Sequence, residues 1–473
     1  MAEDLTWLPA WQIHDLIAKR EVSPVEVTEH FLGRIEELDG QLQTFASLDA
    51  PGAREQAKRA EAAVRNDEPL GPLHGIPVSV KEHIAVAGLP VMDLNMTWST
   101  AIEDDIGVER LRKAGAVIFG TNTMLGSGAG VNAASMMGEE NAQPLYFNWD
   151  VEARNPWDRS RVPGWSSSGG AAAAAARLLP ITIGSDGGGS TRLPAAYSGV
   201  VGVHPQQGRL PHVDYKAPAL QLTGTIGPLC RHVRDAAITT QVLAGPDGRD
   251  FVCLQEDAPD YLGGLDQGIE GLRIGWTDDF GYAGIYASDE SPRVIGTIRE
   301  AAFALQSIGA TVERSSAVWE DYFPGNFTYA RIFPMAGEGE GETSLPRATQ
   351  EEYRAAADAR RRSWDTFKAE FQTYDLLLSP TAQLVAPTVE AWDRAWTTET
   401  RSFPHGNYSS VYTSHTAMFN WLGWPAVSVP CGFVDGLPVG LQIIGLPGTE
   451  PLILRAAEAF QQAFPRNEHP PIS

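Results

Sequence analysis

The first sixty-five residues show apolar positions at helical spacing. The stretch Trp11–Leu38 carries one apolar helix face, and it is divided by the capping box Ser23–Glu26, which has proline at its first helical position. This pattern predicts two surface helices, and the polar stretch 53–65 predicts a third.

A strand with an unusual end follows these helices. Apolar residues alternate at Ile76, Val78 and Val80, and Lys81 comes directly after them. Burying an ammonium group without a partner is costly, so a lysine in this position tends to lose its proton and can act as a base. The segment alone also fits a solvent-facing lysine in a loop, and both interpretations stay open at this point.

Short apolar strands then alternate with helical stretches along the rest of the chain. The predicted strands are 116–120, 181–183, 199–203, 272–276, 375–378, 426–429 and 441–444, and the predicted helices are 108–116, 171–176, 233–243, 292–308 and 351–371. Such alternation is typical of α/β folds. The segment 384–415 is rich in aromatic residues and reads as long loops.

Residues 163–194 carry the strongest chemical signal. Three consecutive serines (166–168) and a glycine pair lead into an alanine run, which predicts that the serines lie at a helix N-terminus. After a short β-branched strand come Ser185, Asp186, three glycines and Ser190, a pattern that predicts a strand ending in a glycine turn. Glycines let several backbone N–H groups approach one point, so Ser190 is a candidate nucleophile beside an anion-stabilising turn. A flexible glycine-serine linker is the plain alternative.

Composition and charge narrow the class of protein. The 473 residues are 43% hydrophobic and 20% charged, as expected of a folded globular protein. The formal net charge of −23 argues against nucleic acid or an anionic membrane as a partner. The acidic N-terminus lacks the features of a signal peptide and no long apolar run follows, so we expect a cytoplasmic protein.

Cofactor and metal motifs are not evident. The three cysteines are widely separated and the ten histidines lack metal-site spacing, so we expect neither a metal nor a disulfide framework. The Gly-Ser-Gly-Ala-Gly stretch at 126–130 lacks the lysine of a phosphate loop, and no other cofactor is expected.

Several stretches together resemble the amidase signature family of serine hydrolases. They are GPLHGIPVSVKEHIAVAG (71–88), RNPWDRSRVPGWSSSGG (154–170), SDGGGSTRLP (185–194), VGVHPQQGRL (201–210), LLLSPTAQLVAP (376–387) and PAVSVPCGFVDGLPVGLQIIG (425–445). The resemblance spans almost the whole chain. It implies one α/β domain over residues 1–473, with a large central mixed β-sheet wrapped by helices and core motifs at 71–210. Aromatic loops at about 319–415 are expected to line the substrate-binding site.

The resemblance also implies a role for each motif residue. It assigns a Ser-Ser-Lys triad, backbone oxyanion donors and supporting residues: Ser190 as nucleophile, Ser166 as bridging serine, Lys81 as base, the N–H groups of Gly187, Gly188, Gly189 and Ser190 as oxyanion donors, and Asp186, Arg192 and Ser167 as supports. Lysine, with a pKa near 10.4, serves as a base at neutral pH only if that pKa falls by roughly three units. The resemblance further implies that the bridging serine follows a cis peptide bond.

The choice of bridging serine depends on spacing. A gapless count from Ser190 selects Ser166 and places Trp165 where the family has glycine, whereas alignment on the serine pair before the two glycines selects Ser167. We prefer Ser166. Glu82 and His204 stand where aspartate and lysine are commoner in the family.

The implied function is hydrolysis of carbon–nitrogen bonds in carboxamides through an acyl-enzyme. The dense aromatic residues favour an apolar or aryl amide, with esterase side activity. The alternatives are a carbamate (urethane) hydrolase, an A-type amidotransferase subunit that works in a complex with a transfer RNA, and a non-catalytic binding protein. The expected partner is a small-molecule amide or carbamate, and family members commonly form homodimers. Arg209 either faces the substrate or forms a surface salt bridge.

Overall fold

The computed structural model describes residues 5–92, 98–124, 153–213, 223–321, 348–396 and 408–472. The aromatic residues Tyr322, Phe323, Phe327 and Tyr329 and the glycine-rich stretch 126–130 lie outside the described residues.

Within the described part of the chain, a mixed β-sheet of 11 strands forms the centre of the molecule. Its order is β1-β5-β2-β6-β8-β7-β12-β13-β11-β9-β10, and β3 and β4 form a separate pair. The strands are β1 (Phe45–Leu48), β2 (Pro77–Lys81), β3 (Pro90–Met92), β4 (Trp98–Thr100), β5 (Val117–Asn122), β6 (Ile181–Asp186), β7 (Val201–His204), β8 (Thr225–Cys230), β9 (Arg273–Trp276), β10 (Thr311–Arg314), β11 (Leu376–Pro380), β12 (Ala426–Val434) and β13 (Leu437–Ile444).

Helices pack around this sheet. They are α1 (Ala10–Ala18), α2 (Pro24–Leu42), α3 (Ala50–Arg65), α4 (Ile106–Lys113), α5 (Ser168–Ala175), α6 (Arg192–Ser198), α7 (Val233–Leu243), α8 (Ser291–Ala304), α9 (Gln350–Glu370), α10 (Val389–Trp396), α11 (Tyr408–Thr413), α12 (Ala417–Leu422) and α13 (Glu450–Ala463). Short 3-10 turns occupy Ala283–Tyr286 and Leu305–Ile308. The prediction of one large α/β domain with a central mixed sheet is confirmed.

Local signals placed most of these elements correctly. The capping box forms as predicted, since Glu26 N donates to Ser23 Oγ at 3.1 Å and Ser23 N donates to Glu26 Oε2 at 2.8 Å. The prediction of loops over 384–415 is wrong, because α10 and α11 lie within that segment. The apolar face of α10 includes Trp392, which is 1% exposed, so tertiary packing favours a helix there.

One pair of strands determines where the candidate site forms. β2 and β6 are parallel neighbours, with Val80 opposite Ile183, and β2 is buried along its whole length. Parallel neighbours end at the same edge of a sheet, so Lys81 at the end of β2 lies beside Asp186 at the end of β6. The lysine and the glycine turn, about a hundred residues apart in sequence, therefore meet.

Trp319, at the start of the other aromatic segment, belongs to the core. It is 2% exposed and stacks on Phe367 with ring centroids 4.6 Å apart. Packing in the core therefore explains why an aromatic residue stands at this position.

Candidate active site

Lys81 is buried and surrounded by serine hydroxyls. Its Nζ lies 2.6 Å from Ser166 Oγ, 3.1 Å from Ser167 Oγ and 3.1 Å from Ser185 Oγ. Burial lowers the pKa of Lys81 from its ordinary 10.5 to about 7, against the carboxylates of Asp186 and Glu82, which raise it. The side chain thus exchanges a proton near neutral pH.

Ser166 lies between the lysine and the predicted nucleophile. Ser166 Oγ is 2.8 Å from Ser190 Oγ and 2.6 Å from Lys81 Nζ. The three side chains therefore form an unbroken hydrogen-bonded path from Ser190 to Lys81. Ser190 is 5% exposed.

Ser167 occupies a different position. Its hydroxyl donates to the Ser185 carbonyl at 3.0 Å and accepts from Ser185 N at 3.2 Å, so it ties the start of α5 to the end of β6. The structure thus places Ser166, and not Ser167, between Lys81 and Ser190.

The peptide bonds around Ser166 differ from what the family resemblance implies. No cis peptide bond occurs in the described ranges, which include Trp165–Ser167, so the expected cis bond before the bridging serine is wrong for this structure. With a trans backbone the Ser166 hydroxyl already lies within hydrogen-bonding distance of both neighbours.

Separate alanine substitutions distinguish the two serines. We expect Ser166→Ala to lower kcat by about 100-fold or more, because it interrupts the proton path. Ser167→Ala leaves that path intact, so it should lower kcat less than Ser166→Ala does. It should also lower the melting temperature, because it removes the tie between α5 and β6. Steady-state kinetics and thermal unfolding of both variants test this, and a larger loss of kcat in Ser167→Ala would contradict it.

The glycine turn after β6 presents backbone N–H groups beside Ser190. Gly189 N donates to Asp186 Oδ1 at 2.6 Å, so its N–H is already occupied. For the N–H groups of Gly187, Gly188 and Ser190, no acceptor is found in the part of the chain that the structure describes. Of the four predicted oxyanion donors, these three are the ones available to a substrate oxygen.

Gly189 also requires the absence of a side chain. Its φ is +129°, and a Cβ there would lie 2.3 Å from Thr416 Oγ1. Thr416 Oγ1 in turn donates to the Gly188 carbonyl at 2.8 Å, which holds the turn from the other side. The turn is therefore shaped by α12 and its preceding residue as well as by its own glycines.

Asp186 and Arg192 form a buried ion pair beneath the turn. Arg192 Nε donates to Asp186 Oδ2 at 2.9 Å, and both side chains are fully buried. Burial acts to raise the pKa of Asp186, but the Arg192 guanidinium and the other donors around the carboxylate hold it well below its ordinary value. Asn420 Nδ2 also donates to Asp186 Oδ1, at 2.9 Å. Asp186 and Arg192 thus contact each other beneath the glycine turn, and their supporting role stays a prediction.

Breaking this ion pair should destabilise the fold. Arg192→Met leaves the buried Asp186 charge without its cation, which we expect to cost about 3 to 5 kcal/mol. Arg293→Met is a matched control, because its pair with Asp435 is exposed and should contribute little to stability. Thermal unfolding of both variants measures the difference, and equal melting temperatures would contradict the prediction.

Sequence reasoning missed three residues around the site. Ser185 contacts Lys81, while Thr416 and Asn420 reach the glycine turn from a segment more than 220 residues away. No local pattern marks Thr416 or Asn420, since their contacts depend on where α12 packs. Ser185 lay inside the quoted motif and was identifiable from its place next to Asp186.

His204 and Glu82, which stand where lysine and aspartate are commoner in the family, have different surroundings. Burial and the Arg192 guanidinium lower the pKa of His204 to about 3, so it is neutral although its Nδ1 lies 3.8 Å from Asp186 Oδ1. Glu82 Oε1 accepts from Met124 N at 2.8 Å. Arg209 pairs with Glu256 and with the buried Glu450, but it is only 3% exposed, so these ion pairs are not the surface salt bridge of the second alternative.

An aromatic cluster adjoins the bridging serine. Trp165, directly before Ser166, meets Trp392 edge-on with ring centroids 5.1 Å apart, and Tyr412 lies 6.3 Å from Trp165. Trp392 and Tyr412 are buried, and Trp165 is half-buried. Trp392 of α10 and Tyr412 of α11 thus pack against the residue that directly precedes Ser166.

Comparison with known proteins identifies the family. The family model described as Amidase matches residues 26–338 and 334–454. The chain belongs to the amidase signature family. One curated relative is the A-type subunit of glutamyl-tRNA(Gln) amidotransferase from Moorella thermoacetica. It is 31% identical to this amidase signature chain over 503 residues, and the alignment covers 97% of each chain.

Solved structures of the family share the fold. A bacterial aryl acylamidase of the amidase signature enzymes superimposes with a TM-score of 0.79 at 24% identity, covering 97% of each chain. The peptide amidase of Stenotrophomonas maltophilia gives a TM-score of 0.77 at 26% identity, covering 99% of each chain.

None of the described helices of this amidase signature chain has the length and apolar character needed to cross a bilayer.

Proposed function

We propose that the protein cleaves the carbon–nitrogen bond of a carboxamide through an acyl-enzyme formed on Ser190. The observation that carries the proposal is the hydrogen-bonded path from Ser190 through Ser166 to a buried Lys81 whose pKa is about 7. A serine hydroxyl becomes a useful nucleophile when an adjacent base takes its proton, and this path provides one.

The proton moves along the path in the first step. Ser190 Oγ attacks the carbonyl carbon and passes its proton to Ser166 Oγ, which gives its own proton to Lys81 Nζ. The carbonyl oxygen becomes an oxyanion beside the free N–H groups of the glycine turn. Each well-placed donor of this kind contributes about 2.7 to 4 kcal/mol in oxyanion sites.

The second step returns the proton. The tetrahedral intermediate collapses, the carbon–nitrogen bond breaks, and the leaving nitrogen takes the proton from Lys81 through Ser166. Water then attacks the acyl-enzyme with the same groups acting as base, which releases the carboxylic acid and restores Ser190.

The hydroxyls around Lys81 suit both of its protonation states. A neutral amine has two N–H donors and one lone pair, whereas an ammonium has three donors. Ser166, Ser167 and Ser185 provide three oxygen partners, and a hydroxyl can either donate or accept. The lysine can therefore take up and release a proton without losing a hydrogen-bond partner.

We favour an apolar or aromatic amide as the substrate. Trp165 directly precedes Ser166 and is half-buried, so it is the ring of this cluster that we expect to contact an aryl or alkyl group, while the buried Trp392 and Tyr412 pack against it. Lys81, Asp186 and Arg192 already make the contacts described above, and Glu82 accepts from Met124 N.

A reactive probe and a substrate panel test the proposal together. A fluorophosphonate should label the protein once, and peptide mass spectrometry should locate the label on Ser190 and not on Ser185. Turnover rates are then compared for 4-nitroacetanilide as the amide, 4-nitrophenyl acetate as the ester, ethyl N-phenylcarbamate as the carbamate and L-glutamine as the polar amide. Their order shows which class of substrate the protein prefers. No labelling and no turnover of any compound would favour a non-catalytic protein.

The pH dependence of kcat/KM is a further expected result. Lys81 acts as a base only when neutral, so the rate should rise with pH through about 7 and level off above it. Below that point the rate should fall about tenfold per pH unit. Rates between pH 5 and 9 measure this, and a flat profile over that range would contradict the role of Lys81.

A second candidate function is participation in an amidotransferase complex. It is favoured by the curated relatives, which are named as the A-type subunit of glutamyl-tRNA(Gln) amidotransferase and match almost the whole chain at 31 to 32% identity. In that case the same triad would release ammonia from an amide donor for transfer within a complex. Hydrolysis of glutamine in preference to 4-nitroacetanilide, together with stable co-purification of partner subunits, would support this candidate over the first.

A further inference from the structure

A cleft lies at the end of α5 opposite the candidate triad. It has a volume of about 940 Å³, and its lining includes Ala175, the last residue of α5, and Arg177 just beyond it. Because α5 has 8 residues and rises about 1.5 Å per residue, roughly 12 Å of helix separates the cleft from the serines. A volume of this order suits a small organic ligand.

The lining of this cleft is positively charged in a strongly acidic protein. Its charged residues are four arginines and two glutamates, namely Arg177, Arg231, Arg234, Arg466, Glu458 and Glu468. The chain as a whole has a formal net charge of −23. This site, which we call the arginine cleft, therefore attracts anions that the average surface repels.

Among the residues that the structure describes, two of these guanidinium groups have no carboxylate at ion-pairing distance. Arg234 pairs with Asp266 and lies 3.6 Å from Glu458. In contrast, Arg231 Nη2 donates to the Thr6 carbonyl at 3.3 Å, and Arg466 donates to the Cys431 carbonyl. Over the described residues, neither Arg231 nor Arg466 has a carboxylate oxygen within 4.0 Å.

The titration of neighbouring groups agrees with crowded positive charge. Burial, together with the charges of Arg231 and Arg177, lowers the pKa of His232 to about 3. Burial also lowers the pKa of Arg231 to about 10, although Asp235 raises it. A bound anion would offset the repulsion among these cations.

Aromatic rings form much of the remaining wall. The Trp7 ring is 44% exposed, although the Arg177 guanidinium lies over it with Cζ 3.3 Å from the centroid and the His469 ring centroid is 3.8 Å away. Trp157 and Phe433 meet edge-on in the same lining, with centroids 4.9 Å apart. Planar guanidinium groups match carboxylates in two-point contacts, and exposed rings stack on other rings.

We propose that the arginine cleft binds a small aromatic carboxylate, through the guanidinium groups of Arg231 and Arg466 and through its aromatic wall. The site is separate from Ser190, and the proposal does not depend on the reaction proposed there. A small molecule that carries both a ring and a carboxylate would contact the aromatic wall and the guanidinium groups at the same time.

Calorimetric titration with three probes tests the proposal. Benzoate should bind saturably, cyclohexanecarboxylate should bind more weakly because it lacks a planar ring, and inorganic phosphate should be the weakest. Arg231→Gln and Arg466→Gln should each weaken benzoate binding by about tenfold, the loss expected for a charge-assisted hydrogen bond. Arg361→Gln, on the exposed face of α9, is the matched control and should change the affinity less than twofold.

The variants also separate this site from the candidate triad. Arg231 and Arg466 lie beyond the far end of α5, so a loss of affinity in these variants cannot come from benzoate bound at Ser190. Arg466 is exposed in the segment after α13, which keeps the test available if Arg231→Gln does not fold. Absence of saturable benzoate binding, or unchanged affinity in both variants, would overturn the proposal. Phosphate binding as tightly as benzoate would overturn the aromatic assignment.

Discussion

Ser190→Ala should lower kcat on any amide that the protein cleaves by a factor on the order of 10⁴ to 10⁶, because no acyl-enzyme can form without the hydroxyl. Ser190 Oγ is the atom at the open end of the path that leads to Lys81. Removing one oxygen from this position leaves the helices and strands around it unchanged, so the melting temperature should stay close to that of the wild type.

Ser185→Ala is the control for this variant. Ser185 Oγ lies 3.1 Å from Lys81 Nζ, within hydrogen-bonding distance, but the residue is at the end of β6 and outside the path between Ser190 and Lys81. We expect it to reduce kcat far less than Ser190→Ala does. Retention of more than about one per cent of wild-type kcat by Ser190→Ala, measured with protein purified free of wild type, would exclude Ser190 as the nucleophile.

Lys81→Met should remove activity and change how stability depends on pH. Loss of the base should lower kcat by about 10² to 10⁴. In the wild type, the pKa of Lys81 is about 7 in the folded state, against 10.5 ordinarily, so unfolding takes up a proton between these values. The folded state therefore gains about 1.4 kcal/mol per pH unit from pH 7 to 10.5, and below pH 7 it bears the full cost of the buried ammonium.

The difference between the two proteins isolates this contribution. The melting temperature of the wild type should rise relative to that of Lys81→Met as the pH increases from 7 to 10, because methionine does not titrate. Lys58→Met is the control, since Lys58 is an exposed residue and its replacement should give a nearly constant difference. A pH-independent difference for Lys81→Met would mean that the folded-state pKa of Lys81 is not lowered.

Local sequence patterns predicted the parts of the site that lie within single motifs. The alternation before Lys81 located a buried strand, and the glycine and serine runs located a strand end and a helix start, because each depends on neighbouring residues. The spacing of 24 residues between Ser166 and Ser190 selected the serine that the structure places between Ser190 and Lys81.

The remaining features depend on contacts between distant segments. Thr416 and Asn420 hold the glycine turn through the packing of α12, which no nearby pattern encodes. The occupied N–H of Gly189 follows from the exact position of the Asp186 carboxylate, and that position is set by Arg192 and Asn420. Likewise, Trp392 of α10 is buried by contacts with distant segments, and the composition of α10 alone indicated a loop.

The parallel pairing of β2 with β6 makes strand register a condition for the proposed activity. Successive side chains of a strand point to opposite faces, so a slip of β2 by one residue would turn Lys81 away from Ser166. A chain misfolded in this way would keep its secondary structure and most of its buried surface. Turnover would then report correct folding more sensitively than circular dichroism does, and refolding yields should be measured by activity.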